Sequence, residues 1–205
     1  MKLRESVILA GGRSTRMGMD KALLVVDGET MMARQIRRLA ARVDRIIVSR
    51  GSGEGGSAPP DALPPDALPP GVRVDLVRDS RPGSSGPLAG IEAGLDALDG
   101  DRALFVAVDT PVIDLELVER LEAEADSCAG AVPLLHGRVQ GTFAVYSRAL
   151  LPLVREMLDR GDGRVHALAR ADGVVPVVLD EGFEHVFRPL NTPGQLEAWR
   201  RERPD

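Results

Sequence analysis

The 205-residue sequence predicts an α/β protein, a three-layer, doubly wound, mostly parallel sheet. Three observations carry this expectation. Short apolar runs recur at 6–10, 45–48, 73–77, 103–108, 130–135, 142–146 and 174–179, as strands would. Several are too uniformly apolar to leave one face in water, which is the habit of parallel strands buried on both sides. Between the runs lie stretches with apolar residues at helical spacing, and strand alternating with helix is the pattern of a sheet covered on both faces.

Taken in order, the first run, Val7-Ile8-Leu9-Ala10, passes straight into Gly11-Gly12-Arg13-Ser14-Thr15-Arg16-Met17-Gly18-Met19-Asp20-Lys21. Gly11 and Gly12 lack a Cβ, so the backbone can turn sharply and bring its N–H groups close to an anion. Arg16 and Lys21 add full positive charges at the same rim, the first as a planar fork and the second as a mobile point charge. No Gly-x-Gly-x-x-Gly is present, and no Gly-x-x-x-x-Gly-Lys-Ser/Thr can be laid on the loop. A tight turn with two solvated cations is the bland reading of the glycine pair alone; the whole string favours a cradle for a polyphosphate.

Met32, Ile36, Leu39 and Val43 then share one helical face, and Ile46-Ile47-Val48 leads to Ser49. From Gly51 to Gly71 the pattern breaks, with Pro59-Pro60-Asp61-Ala62-Leu63 repeated as Pro64-Pro65-Asp66-Ala67-Leu68. Proline cannot donate ladder hydrogen bonds and favours extended conformations, so 51–71 reads as an exposed insertion or spacer. After the strand at 73–77, Asp79 opens a polar stretch that reads by itself as a turn. The next helix carries Leu88, Ile91, Leu95 and Leu98 on one face. Leu104-Phe105-Val106-Ala107-Val108 ends in Asp109, a carboxylate at the rim of the sheet. It suits Mg²⁺, a hard ion held by one or two carboxylates with phosphate oxygens and water; an Asx-turn before Pro111 is the equal alternative. Leu150, Leu151, Val154, Met157 and Leu158 form a third helical stripe. Thr192, Pro193 and Gln195 spell an N-cap, a first-turn proline and a capping box for a last helix, with Asn191 at its corner.

Composition excludes several classes. A net charge of -5 is unlike the basic footprint of a nucleic-acid binder, so positive charge should be local to a pocket. Cys128 is the single cysteine, which rules out an intramolecular disulfide and leaves no zinc spacing. No run is long enough for a signal-peptide core or a membrane span, so a cytoplasmic protein is expected. His136, His166 and His185 are scattered and receive no chemistry. The glycine spacing disfavours a dinucleotide-dependent oxidoreductase.

Leu9-Ala10-Gly11-Gly12, Arg16-Met17-Gly18 and Asp20-Lys21, followed by Asp79-Ser80, Gly86-Pro87-Leu88-Ala89-Gly90, Asp109-Thr110-Pro111 and Asn191-Thr192-Pro193, resemble the signature of the molybdenum cofactor guanylyltransferases. These motifs stand in that family's order and span nearly the whole chain. The resemblance implies a Rossmann-like nucleotidyltransferase fold in one domain, 1–205, with a nucleotide-binding half (1–112) and an acceptor-binding half (113–205). It implies transfer of GMP from GTP to the terminal phosphate of molybdopterin or molybdenum-molybdopterin, with Mg²⁺ as cofactor and molybdoenzyme maturation proteins as partners. It implies Arg16, Lys21 and Asp109 in catalysis, with Asp109 on the metal. Leu9, Ala10, Gly11, Gly12, Lys21, Ser49, Asp79, Leu88, Gly90 and Asp109 would hold the Mg²⁺-nucleotide, and Asn191 and Gln140 the acceptor. Related cytidylyltransferases carry Leu-Ala-Ala-Gly at the first loop, so Gly11 points to GTP rather than CTP. The chain departs from the family at three places: Ser49 stands where asparagine is common, Pro189 where an asparagine is often found, and Gly141 where proline is usual after Gln140. The alternatives are a CTP-dependent transferase, one with another phosphorylated acceptor, and a non-catalytic nucleotide-binding maturation partner.

Overall fold

The computed structural model describes residues 3–11, 21–51, 69–79, 81, 86–188, 194, 195 and 197, with Lys21 as backbone only. Gly12, Arg16, Asn191, Pro189, the proline repeats and the cap of the last helix lie outside the described residues. The apolar runs become strands β1 (Glu5–Leu9), β4 (Arg45–Arg50), β5 (Arg73–Arg78), β6 (Arg102–Ala107), β7 (Gly130–Leu135), β9 (Phe143–Ser147) and β10 (Val174–Leu179). Two short hairpins add β2 (Val25–Val26) with β3 (Glu29–Thr30), and β8 (Arg138–Val139) folded back on β7. Each turns on two residues with positive φ, Asp27-Gly28 and His136-Gly137, the conformation that two-residue hairpin turns demand.

The main sheet runs in the order β5-β4-β1-β6-β9-β7-β10, with β8 appended to β7. β5, β4, β1 and β6 are parallel neighbours, and β10 is parallel to β7. The sheet is mostly parallel, as expected, and β9 is its antiparallel exception within the core, running antiparallel to both β6 and β7. The cause is the length of its connection: residues 136–142 are too few for the crossover of a dozen or more residues that a parallel return needs.

Alternation along the strands buries both sheet faces. Ile8, Ile46, Val48, Leu104 and Val106 pack under helices α1 (Met31–Ala40) and α3 (Leu115–Ala125). Val7, Leu9, Ile47, Ala103 and Phe105 pack under α2 (Pro87–Asp96), α4 (Leu151–Asp159) and α5 (Val165–Leu168). The three apolar stripes read from the sequence therefore face the sheet and form the outer layers. Thr30 caps α1 by accepting from the Ala33 N–H at 3.1 Å, and Asp114 caps α3 by accepting from the Leu117 N–H at 2.9 Å. α3 and the 3₁₀ turn Glu181–Phe187 were not among the expected elements. Among the described residues, no helix is long and apolar enough to cross a membrane.

Candidate active site

The parallel strands all deliver their carboxyl ends to one rim, where ligands bind in open α/β sheets. Backbone hydrogen bonds fasten the segments leaving that rim to one another. The Ala10 N–H donates to the Ser49 carbonyl at 2.8 Å, the Asp79 N–H to the Arg50 carbonyl at 2.9 Å, and the Val108 N–H to the Leu9 carbonyl at 3.1 Å. Leu9, Ala10, Gly11, Ser49, Asp79 and Asp109 are therefore brought together, although 100 positions separate the first from the last. A Cβ on Gly11 would stand 3.0 Å from the Gly51 backbone nitrogen. Glycine at 11 is thus required by the close approach of the first loop to the β4 loop, a packing reason that stands beside the base-selection argument.

On the α2 side, the Ser49 hydroxyl is fully buried and donates to Asp79 Oδ1 at 3.1 Å. Gly90 lies against the same hydroxyl: a Cβ there would meet Ser49 Oγ at 3.1 Å and Leu9 Cδ2 at 3.2 Å. Burial, assisted by the nearby Glu92 charge and opposed by the Ser49 hydrogen bond, pushes the Asp79 carboxyl up to about 6. Glu92 is itself held by Arg81, whose Nε and Nη2 donate to its two carboxylate oxygens at 2.9 and 3.1 Å. The Leu88 side chain is fully buried in the same apolar cluster as Leu9, and its backbone lies in the first turn of α2.

On the α1 side, the Met31 N–H donates to the Leu24 carbonyl at 2.9 Å, and Gln35, one turn further along, donates through Nε2 to the Thr110 carbonyl. The segment that resumes at Lys21 and the turn that carries Asp109 thus flank the same first turns of α1. Asp109 is half-buried. No group of three or more His, Cys, Asp or Glu residues among those described could hold a metal ion without help. A single rim carboxylate fits a hard cation that arrives with the oxygens of a triphosphate, and does not fit an all-protein metal cage.

The antiparallel course of β9 decides where Gln140 lies. Phe143 pairs with Val106, so the amino end of β9 sits at the rim beside the carboxyl end of β6. Gln140 is fixed there by its N–H to the Pro133 carbonyl and by its carbonyl, which accepts from the Phe143 N–H, both at 2.9 Å. Gly141, where the family usually has proline, lies against Tyr146, whose hydroxyl donates to the Gly141 carbonyl at 2.9 Å. A Cβ at 141 would come within 3.2 Å of that hydroxyl oxygen.

A family model for the MobA-like NTP transferase domain matches residues 6–176. The chain belongs to this family. It is 32% identical over 195 residues to the molybdenum cofactor guanylyltransferase of Rhodobacter capsulatus, covering 93% of this chain and 91% of that one. Its identity to the guanylyltransferase of Syntrophotalea carbinolica is 30% over 214 residues, covering 100% and 94%. In fold it is similar to molybdopterin-guanine dinucleotide biosynthesis protein A of Archaeoglobus fulgidus, with a TM-score of 0.74 at 19% identity over 96% of this chain and 97% of that one. Within this MobA-like frame, a single glutamine, an ion pair and a buried arginine near the rim escaped the sequence reading. Gln35 left a signal, a polar residue on the apolar stripe of α1; Arg81 and Glu92, eleven positions apart across a loop, left none. Arg50 is the arginine, its guanidinium buried at the carboxyl end of β4.

Proposed function

We propose that this MobA-like transferase moves a guanylyl group from GTP to the terminal phosphate of molybdopterin, free or molybdenum-loaded. The observation that carries the reading is the convergence of the glycine-loop strand, the Asp79 and Ser49 pair and the Asp109 turn on one rim. The names of the relatives, which span nearly the full chain, supply the nucleotide and the acceptor.

Lys21, Arg16 and the N–H groups of Gly11 and Gly12 neutralise the triphosphate and the pyrophosphate it releases. Asp109 carries the cation that accompanies the nucleotide. When bound, Mg²⁺ withdraws charge from the phosphate oxygens and orients them. Asp79 and the backbone of Leu88 to Gly90 face the nucleoside, and Gln140 and Asn191 the acceptor. An acceptor phosphate oxygen forms its bond to the α-phosphorus as the bond to the β-phosphate oxygen breaks, and the electron pair leaves on pyrophosphate. A phosphate monoester loses its second proton near about pH 6, so the nucleophile is already ionised at neutral pH and no side chain must act as general base. Positioning and electrostatics carry the rate. The reaction belongs in the cytoplasm, where GTP is supplied.

The test is pyrophosphate release from GTP and molybdopterin, with CTP as competitor. GTP is expected to win, by no more than the about 10- to 200-fold that a methylene-sized difference in a pocket can yield. A preference for CTP overturns the base assignment. Asp109→Ala is expected to remain folded and lose turnover by about 100-fold or more, the scale of one removed electrostatic partner.

A further inference from the structure

Gln35 is an amide where a helix in contact with the sheet has every reason to carry an apolar residue. It lies on the buried face of α1 among Met31, Met32, Ile36 and Leu39, and it is fully buried itself. Its Nε2 donates to the Thr110 carbonyl, 75 positions along the chain. Among the described residues its buried Oε1 has no hydrogen-bond partner. Half of this side chain's polar capacity is thus unsatisfied, a state that cores avoid unless the other half does something an apolar residue cannot.

What the donating half does is close the Asp109 turn. The Thr110 N–H donates back to the Ala107 carbonyl at 3.1 Å, which fixes the near end of the turn on β6. The Thr110 carbonyl leads into Pro111, which offers no N–H, and Gln35 is the group that pins this far end to α1. Asp109 sits between the two fastenings. The same helix is tied at Met31 to Leu24, three residues after Lys21.

We propose that Gln35 is the positioning residue of the Asp109 turn, clamping the Thr110 carbonyl so that the Asp109 carboxylate is held where the cation of a bound nucleotide meets it. The proposal rests on the reading of Asp109 as that cation's ligand. A small divalent ion requires nearly ideal octahedral geometry, so a carboxylate free to drift loses affinity even when its chemistry is unchanged. Residues that orient a ligand from behind typically set metal affinity by about 10- to 100-fold.

Gln35→Met fills the same space without the amide and isolates the effect. Binding of Mn²⁺ to the protein with a non-hydrolysable GTP analogue, followed by the electron paramagnetic resonance of the free ion, is expected to weaken about tenfold. The Mg²⁺ concentration for half-maximal turnover rises by the same factor, while KM for GTP at saturating Mg²⁺ stays within about twofold, the split expected of a residue acting through the metal ligand. Met32→Ala, a cavity on the same helix, is expected to lower thermal stability and leave Mn²⁺ affinity as it was. An equal loss of affinity in Met32→Ala would reduce the effect to general loosening and overturn the proposal. If Asp109→Ala abolishes Mn²⁺ binding and Gln35→Met leaves it intact, the clamp is wrong and the Asp109 reading stands. If Asp109→Ala binds Mn²⁺ normally, the underlying reading fails and takes the clamp with it. Gln35→Leu provides the same measurement should the methionine variant not fold.

Discussion

Asp79 illustrates how one buried carboxyl couples stability to pH. Its proton affinity in the native state exceeds that of an exposed aspartate, so between about pH 4 and 6 the folded protein binds more protons than the unfolded chain. This group's contribution therefore lowers stability as pH rises through that window, and the penalty is fully present above it. Asp79→Asn removes the buried charge, so its melting temperature is expected to exceed the parent's at pH 8, with the difference shrinking toward pH 4. The same variant is expected to bind GTP more weakly, and a thermal melt paired with a nucleotide titration measures both. A carboxylate that strains its own fold is the kind of residue retained for what it binds. Ser49 belongs to this account. The resemblance implies a nucleotide contact at this position; in the structure its hydroxyl is wholly enclosed and donates to Asp79.

Among the elements, α2 shows how closely a helix must approach this sheet to build the rim. Gly94 has no room for a methyl group: its Cβ would stand 2.7 Å from Val7 Cγ1 and 2.8 Å from Phe105 Cε1. Alanine gains about 1 kcal/mol of helix propensity, and overpacking costs about 1–3 kcal/mol. Because both contacts fall on fully buried side chains, one β-branched and one aromatic, the overpacking wins. Gly94→Ala is expected to lose about 1 kcal/mol net in a denaturant titration, and to disturb Gly90 one turn closer to Ser49. The helical stripes of α1, α2 and α4 were legible in the sequence because helical periodicity is a property of residues three and four apart. The direction of β9 was less legible, although the short connection at 136–142 contains the reason.

Across the sheet, the two ends of the strands divide the labour. At the amino ends Arg45, the first residue of β4, donates to Glu5 at 2.7 Å, to Asp75 at 2.6 Å and to the Ala97 carbonyl at 2.8 Å, fastening β1, β4, β5 and the end of α2. Glu5 is almost wholly buried and also accepts from the Asp99 and Gly100 N–H groups at 3.2 and 2.6 Å. Breaking a buried pair leaves an uncompensated charge at a cost of about 3–5 kcal/mol, and the two remaining N–H donors set Arg45→Ala at the lower bound. The expected loss is about 3 kcal/mol in urea unfolding, with KM for GTP unchanged because the carboxyl ends lie across the sheet. The candidate site lies at the opposite, carboxyl ends of the strands, away from this network.

The candidate residues were legible to the extent that they were contiguous. Leu9-Ala10-Gly11 and Asp109-Thr110-Pro111 are contiguous strings that local spelling marks as turns at strand ends and the family resemblance marks as site candidates, and strand and helix follow from residues two to four places apart. Long-range packing supplied the rest: it paired β9 with β6 and so carried Gln140 to the rim, closed Ser49 over Asp79, raised that carboxyl's hold on its proton, and set Gln35 against the Thr110 carbonyl. Periodicity is written between neighbours, whereas burial, hydrogen-bond partners and proton affinity belong to groups that meet only when distant stretches of the chain pack together.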